Sequence, residues 1–274
     1  MMSSMRQPFA AASVTDVNGD AVALPFAVDV MHLASRSSDA VEAWSLVGSA
    51  GPAGPYILPY PEADCRALSP ILDLGVAAAR TTSELDADDA ELLEPALAAF
   101  FSAVRSGRVE LPEAGPDTAA TAWDRHRSGI GSGAVASAAA LLRDPAGTAG
   151  LAWGPPAAPD RPNSVGCGWA LVITSTDPER TEGAARLGRW LVAPPNGDWI
   201  LAAGYLPAAR EQWPASIDRA AADRADPEYL AFVRDQLESA VGVAGSIGWS
   251  EALAASAVAG LAPESSAGAM APTP

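Results

Sequence analysis

Hydrophobic positions along the chain fall into short runs parted by polar, Gly-rich or Pro-rich breaks, and their period alternates between strand and helix. Residues 21–28 form an apolar run holding Val22, Leu24, Phe26 and Val28, entered through the turn signal Asn18-Gly19-Asp20. Such a run behind a tight turn predicts a buried strand. A helical stretch follows over 39–47, then a Gly/Pro-rich loop over 48–55 and a second strand over 56–59. That strand ends in the polar patch of Pro61, Glu62, Ala63 and Asp64, and from Pro70 onward the pattern is helical. Residues 86–106 read as a helix in two pieces, with Pro95 opening the second, where a first-turn proline needs no N–H donor. Phe100, Phe101 and Val104 give this helix an apolar face, and Gly107 is its C-terminal stop.

Further along, 121–128 predicts a short helix closed by Gly129, 131–137 a strand of small residues, and 138–143 another helix. Strands are expected over 150–153 and 168–174, on either side of the loop 155–162. Asp177-Pro178-Glu179 combines an N-cap, a first-position proline and a first-turn acid. It opens a helix that carries Leu187, Trp190 and Leu191 on one stripe and stops at Pro194-Pro195. Asp226-Pro227-Glu228 repeats the device before a helix over 229–241. A last helix covers about 249–261, ahead of an Ala/Ser/Gly/Pro tail expected to lack order. The alternation of strands and helices argues for an α/β architecture. There is no internal repeat.

Length and charge narrow the function classes. The 274 residues suit one large domain or two lobes, and 49% hydrophobic content suffices for a packed core. All 17 basic residues are arginine and the net charge is −16. That balance repels a nucleic-acid backbone, which needs clustered basic charge, and disfavours an anionic membrane surface. The acidity itself reads first as solubility, with a preference for cationic solutes as the functional alternative. No apolar run approaches the roughly 20 residues that span a bilayer. Residues 1–6 lead straight into mixed sequence, so no export signal is expected in the chain as given.

Catalytic patterns are weak. Cys65 and Cys167 are too few for a disulfide scaffold and lack metal spacing, which leaves a single bridge between them open. The two histidines, His32 and His126, are accompanied by no GxSxG elbow. Gly129-Ile130-Gly131-Ser132-Gly133 follows a polar helix rather than a strand, unlike a dinucleotide loop. No HExxH or paired Cys/His set points to a metal. No catalytic residue, cofactor or metal is therefore expected.

The order of motifs carries further than composition. Asn18-Gly19-Asp20 with Leu24-Pro25-Phe26 resembles the D-G-x-x-Y-A-L-P-F strand of family 1 extracellular solute-binding proteins, the maltose-binding-protein-like receptors of ABC importers. Ala122-Trp123-Asp124 followed by Arg127-Ser128-Gly129 looks like the family's acidic-aromatic helix that ends in S-G before a buried strand. Val165-Gly166-Cys167-Gly168-Trp169 resembles its G-G-W-G-L-x-I strand. Arg189-Trp190-Leu191, a proline break, Trp199 and Gly204-Tyr205-Leu206-Pro207 look like its helix–break–helix ending in G-Y-L-P. The resemblance implies a type II periplasmic binding protein-like fold, two α/β lobes joined by a hinge. Its N-terminal lobe would be incomplete, the chain being truncated at its start. Residues 1–32 would be a remnant of that lobe with the first hinge strand, and 147–213 its second part. Residues 33–146 and 214–274 would form the C-terminal lobe, with the tail disordered from about 262.

The resemblance also implies a function. The chain would be a non-enzymatic, monomeric, extracytoplasmic receptor in the periplasm or at the cell surface. It would close by a hinge around a small solute, a carbohydrate, and deliver it to ABC permease transmembrane subunits. A sensor of the same fold without transport, or a non-functional gene fragment, are the alternatives. Among candidate ligand residues, Asp29 ends the first strand at a crossing between lobes, where a carboxylate suits sugar hydroxyls. An ordinary strand-end Asp facing solvent is the competing reading. Trp169 and Trp249 each follow a Gly at the start of an element near the implied cleft and could stack on a sugar. Trp44, Trp123, Trp190 and Trp199 lie on helical stripes and are expected in the core. Tyr205 stands in a loop at ligand or hinge. Glu62 and Asp64 lie at the implied rim or in a solvated loop. Ser137 begins the implied cleft-wall helix, where the family often carries an aromatic and this chain has alanines.

Overall fold

The computed structural model describes residues 23–46, 54–62, 64–79, 84–85, 93–115, 118–144, 146–157, 166–193, 198–203, 205–208, 212, 225–240, 242–243 and 247–261. Strand β1 (Ala23–Ser35) runs well past the predicted run, through Asp29, His32 and Ser35. Those polar residues stay in the strand because each meets a partner inside; Ser35, for example, donates to the Ser132 carbonyl at 2.6 Å. Helix α1 (Ser38–Glu42) is capped by the Ser37 hydroxyl and is shorter than predicted. The chain leaves it because Trp44 and Leu46 are drawn into the core, the Trp44 indole donating to the Pro156 carbonyl at 3.0 Å and the Leu46 amide to Ala157 at 2.8 Å.

After β2 (Tyr56–Ile57) comes α2 (Cys65–Ala79), which begins ahead of Pro70 and holds it inside. The predicted start at Pro70 is corrected by Asp64, whose carboxylate accepts from the Arg66 amide at 2.8 Å and so opens the helix earlier. Then follow β3 (Glu84–Leu85) and α3 (Glu94–Arg105), with Pro95 in its first turn as predicted. The helix ends before Gly107, whose φ of 72° suits the left-handed stop. Residues 86–92, the first predicted piece, lie outside the described residues, as do 18–22, Pro194-Pro195 and the tail.

The middle of the chain carries β4 (Val109–Glu110), α4 (Thr118–Arg127), β5 (Gly133–Ser137), α5 (Ala138–Arg143) and β6 (Ala152–Gly154). The last part holds β7 (Gly166–Val172), α6 (Pro178–Val192), α7 (Asp198–Ala202), β8 (Leu206–Pro207), α8 (Pro227–Ser239), β9 (Gly242–Val243) and α9 (Ile247–Leu261). The two Asp-Pro-Glu devices perform as read. Asp177 caps α6 through the Arg180 amide and Asp226 caps α8 through that of Glu228.

One sheet runs in the order β4-β2-β5-β1-β6, while β7 and β8 also pair with β1. The first half of β1 pairs antiparallel with β7, from Ala23 opposite Val172 to Val30 opposite Gly166. The second half pairs antiparallel with β5 and β6. A register shift between Pro25 and Ala27 accommodates a proline that cannot donate to the ladder. β6 pairs with Leu33–Ser35, in the same sheet as β5. Side chains of β1 alternate between two cores. Met31 and Leu33 pack with Trp44, Leu68, Phe100 and Leu253, while Val28, Val30 and Ala34 pack with Trp123, Leu206 and Tyr229.

The smaller assembly of β7, the first half of β1, and β8 is less well covered. Trp190 is 59% exposed and Trp199 40%, against the expectation that both are core, and Leu187 and Val172 are exposed beside them. None of the described helices is long and apolar enough to cross a membrane.

Glycine positions give a direct test. A Cβ at Gly131, where φ is +72°, would lie 2.6 Å from the Pro55 carbonyl oxygen. Gly131→Ala should lower stability by about 1–3 kcal/mol. Gly183 lies inside α6 with nothing within 4 Å of a built Cβ, and Gly183→Ala should raise stability by about 0.5–1 kcal/mol. Urea unfolding of both variants checks the contrast.

Candidate functional site

The seam where β1 passes from one sheet to the other collects most of the chemistry-bearing residues. Val30 closes the ladder with β7 and Met31 opens the one with β5, so Asp29 stands at the last place where both walls are close. Its side chain is buried. Oδ1 accepts from the Val30 amide at 3.0 Å and from the Ala139 amide, in the first turn of α5, at 3.1 Å. Oδ2 is buried and has no partner among the described residues. Burial pushes the carboxyl up from 3.8 to about 7, against the opposing pull of the Ala139 amide, the Arg66 guanidinium, the Ser137 hydroxyl and the Val30 amide.

Ser137 ends β5 and caps α5, its hydroxyl accepting from the Ala140 amide at 3.0 Å. The three alanines that follow let the helix backbone approach the carboxylate closely. Trp169 on β7 packs against Tyr205 with ring centroids 4.3 Å apart and planes inclined by 48°. The Arg66 guanidinium lies 5.2 Å from the Trp169 ring, and that of Arg143 lies 5.9 Å from the Tyr205 ring. Asp64 fixes Arg66 through contacts of 2.7–3.2 Å. Arg143 is tied back to the Ala139 carbonyl at 3.0 Å. Cys65 and Cys167 form a disulfide with their Cα atoms 6.0 Å apart, and Cys167 lies directly opposite Asp29 in the ladder.

Behind the seam, His32 Nε2 sits 3.2 Å from the Tyr229 hydroxyl. Burial pushes this imidazole down to about 4, the Val30 backbone bond opposing, and it pushes the Tyr229 hydroxyl up, helped by the charge of Asp29. Arg143 also borders a surface cleft of about 270 Å³ between α4 and α5. There Arg127 pairs with Asp124 and Asp144, and the Trp123 indole donates to Asp144.

Of the residues singled out in the sequence, Asp29, Ser137, Trp169 and Tyr205 come together here. Asp64 enters as the partner of Arg66, not as a free rim carboxylate. Glu62 is half-buried between β2 and α2. The side chain of Trp249, in the first turn of α9, lies outside the described residues. Sequence reasoning missed Arg66 and Arg143, and it read the amides of 136–139 as free for a ligand oxygen where that of Ala139 is taken by Asp29. Their signal was faint: an Asp64-Cys65-Arg66 step opening a helix, and a run of alanines that permits close backbone approach.

A strand shared by two sheets, with the seam residues between them, defines the periplasmic binding protein-like α/β fold. A solute-binding protein of an ABC transporter from Thermotoga lettingae, bound with α-D-tagatose, superposes with a TM-score of 0.69 at 16% identity, covering 94% of this chain and 72% of that one. Maltose-bound MalE3 of T. maritima gives a TM-score of 0.64 at 16% identity, with coverages of 93% and 71%. Thiaminase I of Clostridium botulinum, in complex with thiamin, gives 0.64 at 15% identity, with coverages of 93% and 77%. The fold thus serves binding proteins and an enzyme alike. No family model matches the chain, and no curated protein matches it in sequence.

The two buried titratable groups bend stability in opposite directions. Asp29 is raised from 3.8 to about 7, so the native state holds its proton over that range and the group's contribution falls as pH rises from 4 to 7. His32 is lowered from 6.5 to about 4, so the unfolded chain takes up the proton first and stability is lost as pH falls from 6.5 to 4. His126 is shifted downward as well, chiefly by burial, and acts in the same sense as His32. Asp29→Asn should therefore steepen the rise of stability with pH by roughly 3 kcal/mol between pH 4 and 6.5. Urea midpoints measured across that range check it.

Proposed function

We propose that this chain is the solute receptor of an ABC importer, binding a carbohydrate at the seam between its two sheets and handing it to the permease outside the cytoplasm. The observation that carries the reading is Asp29, whose buried Oδ2 is uncommitted while its other oxygen is held by two amides. Sugar hydroxyls can donate to or accept from such a group, and where the carboxyl is ionised these bonds are about twice as strong as neutral ones. The Trp169–Tyr205 pair supplies an apolar surface for the face of a sugar ring, and the flanking guanidiniums of Arg66 and Arg143 supply donors for its oxygens. Glu62 and Trp249 complete the assignment as rim contacts.

Burial of Asp29 means that solute enters only when the two walls part. Rotation about β1, the strand common to both, is the hinge motion this topology favours. The monomer then presents its closed form to the permease, and neither cofactor nor nucleic acid takes part. The joined cysteines suit an oxidising, extracytoplasmic compartment. Two features favour binding over bond-making. Both thiols are tied up in the bridge, and His32 is buried against Tyr229 rather than facing a nucleophile.

One observation favours a second reading. A carboxyl that titrates near neutrality also suits a general base, in a fold that includes an enzyme. Product analysis after overnight incubation with the bound sugar separates the two, turnover being the result against a pure receptor. Stimulation of the permease's ATPase separates transport from sensing.

Titration calorimetry with mono-, di- and oligosaccharides is the primary test. A saturable heat with one sugar class is expected, and silence across the panel overturns the carbohydrate reading. Trp169→Ala should weaken that binding by about 1–3 kcal/mol and Asp29→Asn by about 1.5–3 kcal/mol. Unchanged affinity in Trp249→Ala would remove Trp249 from the site.

A further inference from the structure

The Cys65–Cys167 bridge does more than join two distant points of the chain. Cys65 is the first residue of α2, a helix fixed in the first core through Leu68, Ile71 and Leu72. Cys167 belongs to β7, which is carried on the other half of β1. The link spans 102 residues and ties one wall of the site to the other. Each cysteine also adjoins a working residue. Cys65 precedes Arg66, Cys167 stands two residues before Trp169, and those two side chains form the cation–ring contact over the seam. Cys167 is itself opposite Asp29.

We propose that this bridge is a redox latch on the seam site: oxidised, it limits how far the start of α2 and β7 separate when the walls part to admit solute, and reduced, it lets them open further. Access favours the reaction at one end. Cys65 is half-buried and open to a dithiol, whereas Cys167 is 2% exposed. A reductant thiolate attacks the Cys65 sulfur, the S–S bond breaks, and Cys167 leaves as a thiolate that takes up a proton. The second thiol of the reductant then attacks the mixed disulfide and frees Cys65. Two electrons and two protons pass from the dithiol to the protein, and the dithiol becomes a cyclic disulfide. A low-molecular-weight disulfide such as oxidised glutathione reverses the step. Its consequence for solute rests on the carbohydrate reading above, but the latch itself is tested without any solute.

Peptide mapping under non-reducing conditions should recover the peptides of Cys65 and Cys167 joined, and two separate peptides would overturn the proposal. Hydrogen exchange is then followed on the full chain, oxidised and after dithiothreitol. Reduction should speed exchange at least about tenfold in 65–68, 138–143 and 166–172, while the core peptides around Phe100 and Leu253 are unchanged. Reoxidation with glutathione disulfide should restore the slow rates. Unchanged exchange after confirmed reduction overturns the latch. So does equal acceleration across the whole chain, the signature of a crosslink that only adds global stability. Cys65→Ser and Cys167→Ser should reproduce the reduced pattern and ignore dithiothreitol. If either variant fails to fold, reduction of the wild-type chain still decides. A chain that passes this test and binds no sugar refutes the carbohydrate reading alone; one that binds sugar with equal affinity in both redox states and shows no local opening refutes the latch alone.

Discussion

Strand β1 is buried from Ala27 to Ser35 and serves two sheets, so every polar group along it has to be met by some other part of the chain. An unmet buried donor or acceptor costs about 1–3 kcal/mol, and β1 carries three polar side chains at this depth. Ser35 is met by the carbonyl of Ser132, just ahead of β5. His32 is met by Tyr229 on α8, nearly two hundred residues downstream. Asp29 is met by the Ala139 amide at the start of α5. These bonds fix where β5, α5 and α8 sit relative to the strand, and the two cores close around that arrangement.

Not every atom is met. Oδ2 of Asp29 and Nδ1 of His32 are buried without partners among the described residues. Nε of Arg125 and Nε2 of His126 share that state, and each such group costs stability. At Asp29 a tilted ring pair, two guanidiniums each held by its own carboxylate or carbonyl, and a disulfide converge within the same seam. At His32 the surroundings are core, with Phe232 and Tyr229 packed on the ring, and the imidazole stays neutral through the physiological range. The two groups are three residues apart, yet only one faces the seam.

The smaller sheet shows a different constraint. Its α6 covers β1 and β7 through Gly188, where a built Cβ would touch Leu24 and Leu171 at ordinary contact distance. The remaining stripe of that helix, Leu187 and Trp190, points outward. An amphipathic pattern tells which residues want burial and not which neighbour provides it. The neighbours of known structure are longer than this chain, which covers 71–77% of the three described above.

Local physics was legible in the sequence wherever one residue type has one backbone consequence. The Asp-Pro-Glu starts of α6 and α8, Pro95 in the first turn of α3 and the Gly107 stop were all readable, because capping and fixed φ act within a single turn. The order of motifs pointed to the fold, and it singled out Asp29, Ser137, Trp169 and Tyr205, which the structure brings together, along with Glu62 and Trp249, which it does not show joining them. What the sequence left undecided depends on pairs far apart in the chain. A carboxylate that reads equally as a solvent-facing strand end lies buried, met by an amide 110 positions away. Pro70, which reads as a helix start, sits inside α2 because Asp64 caps the chain earlier. Trp44 and Trp190 both look like core residues, and only the packing of distant segments leaves one buried and the other exposed. Cys65 and Cys167 show no spacing that pairs them. They meet because β1 draws α2 and β7 to opposite sides of one buried carboxyl, a juxtaposition that exists only once the chain is folded.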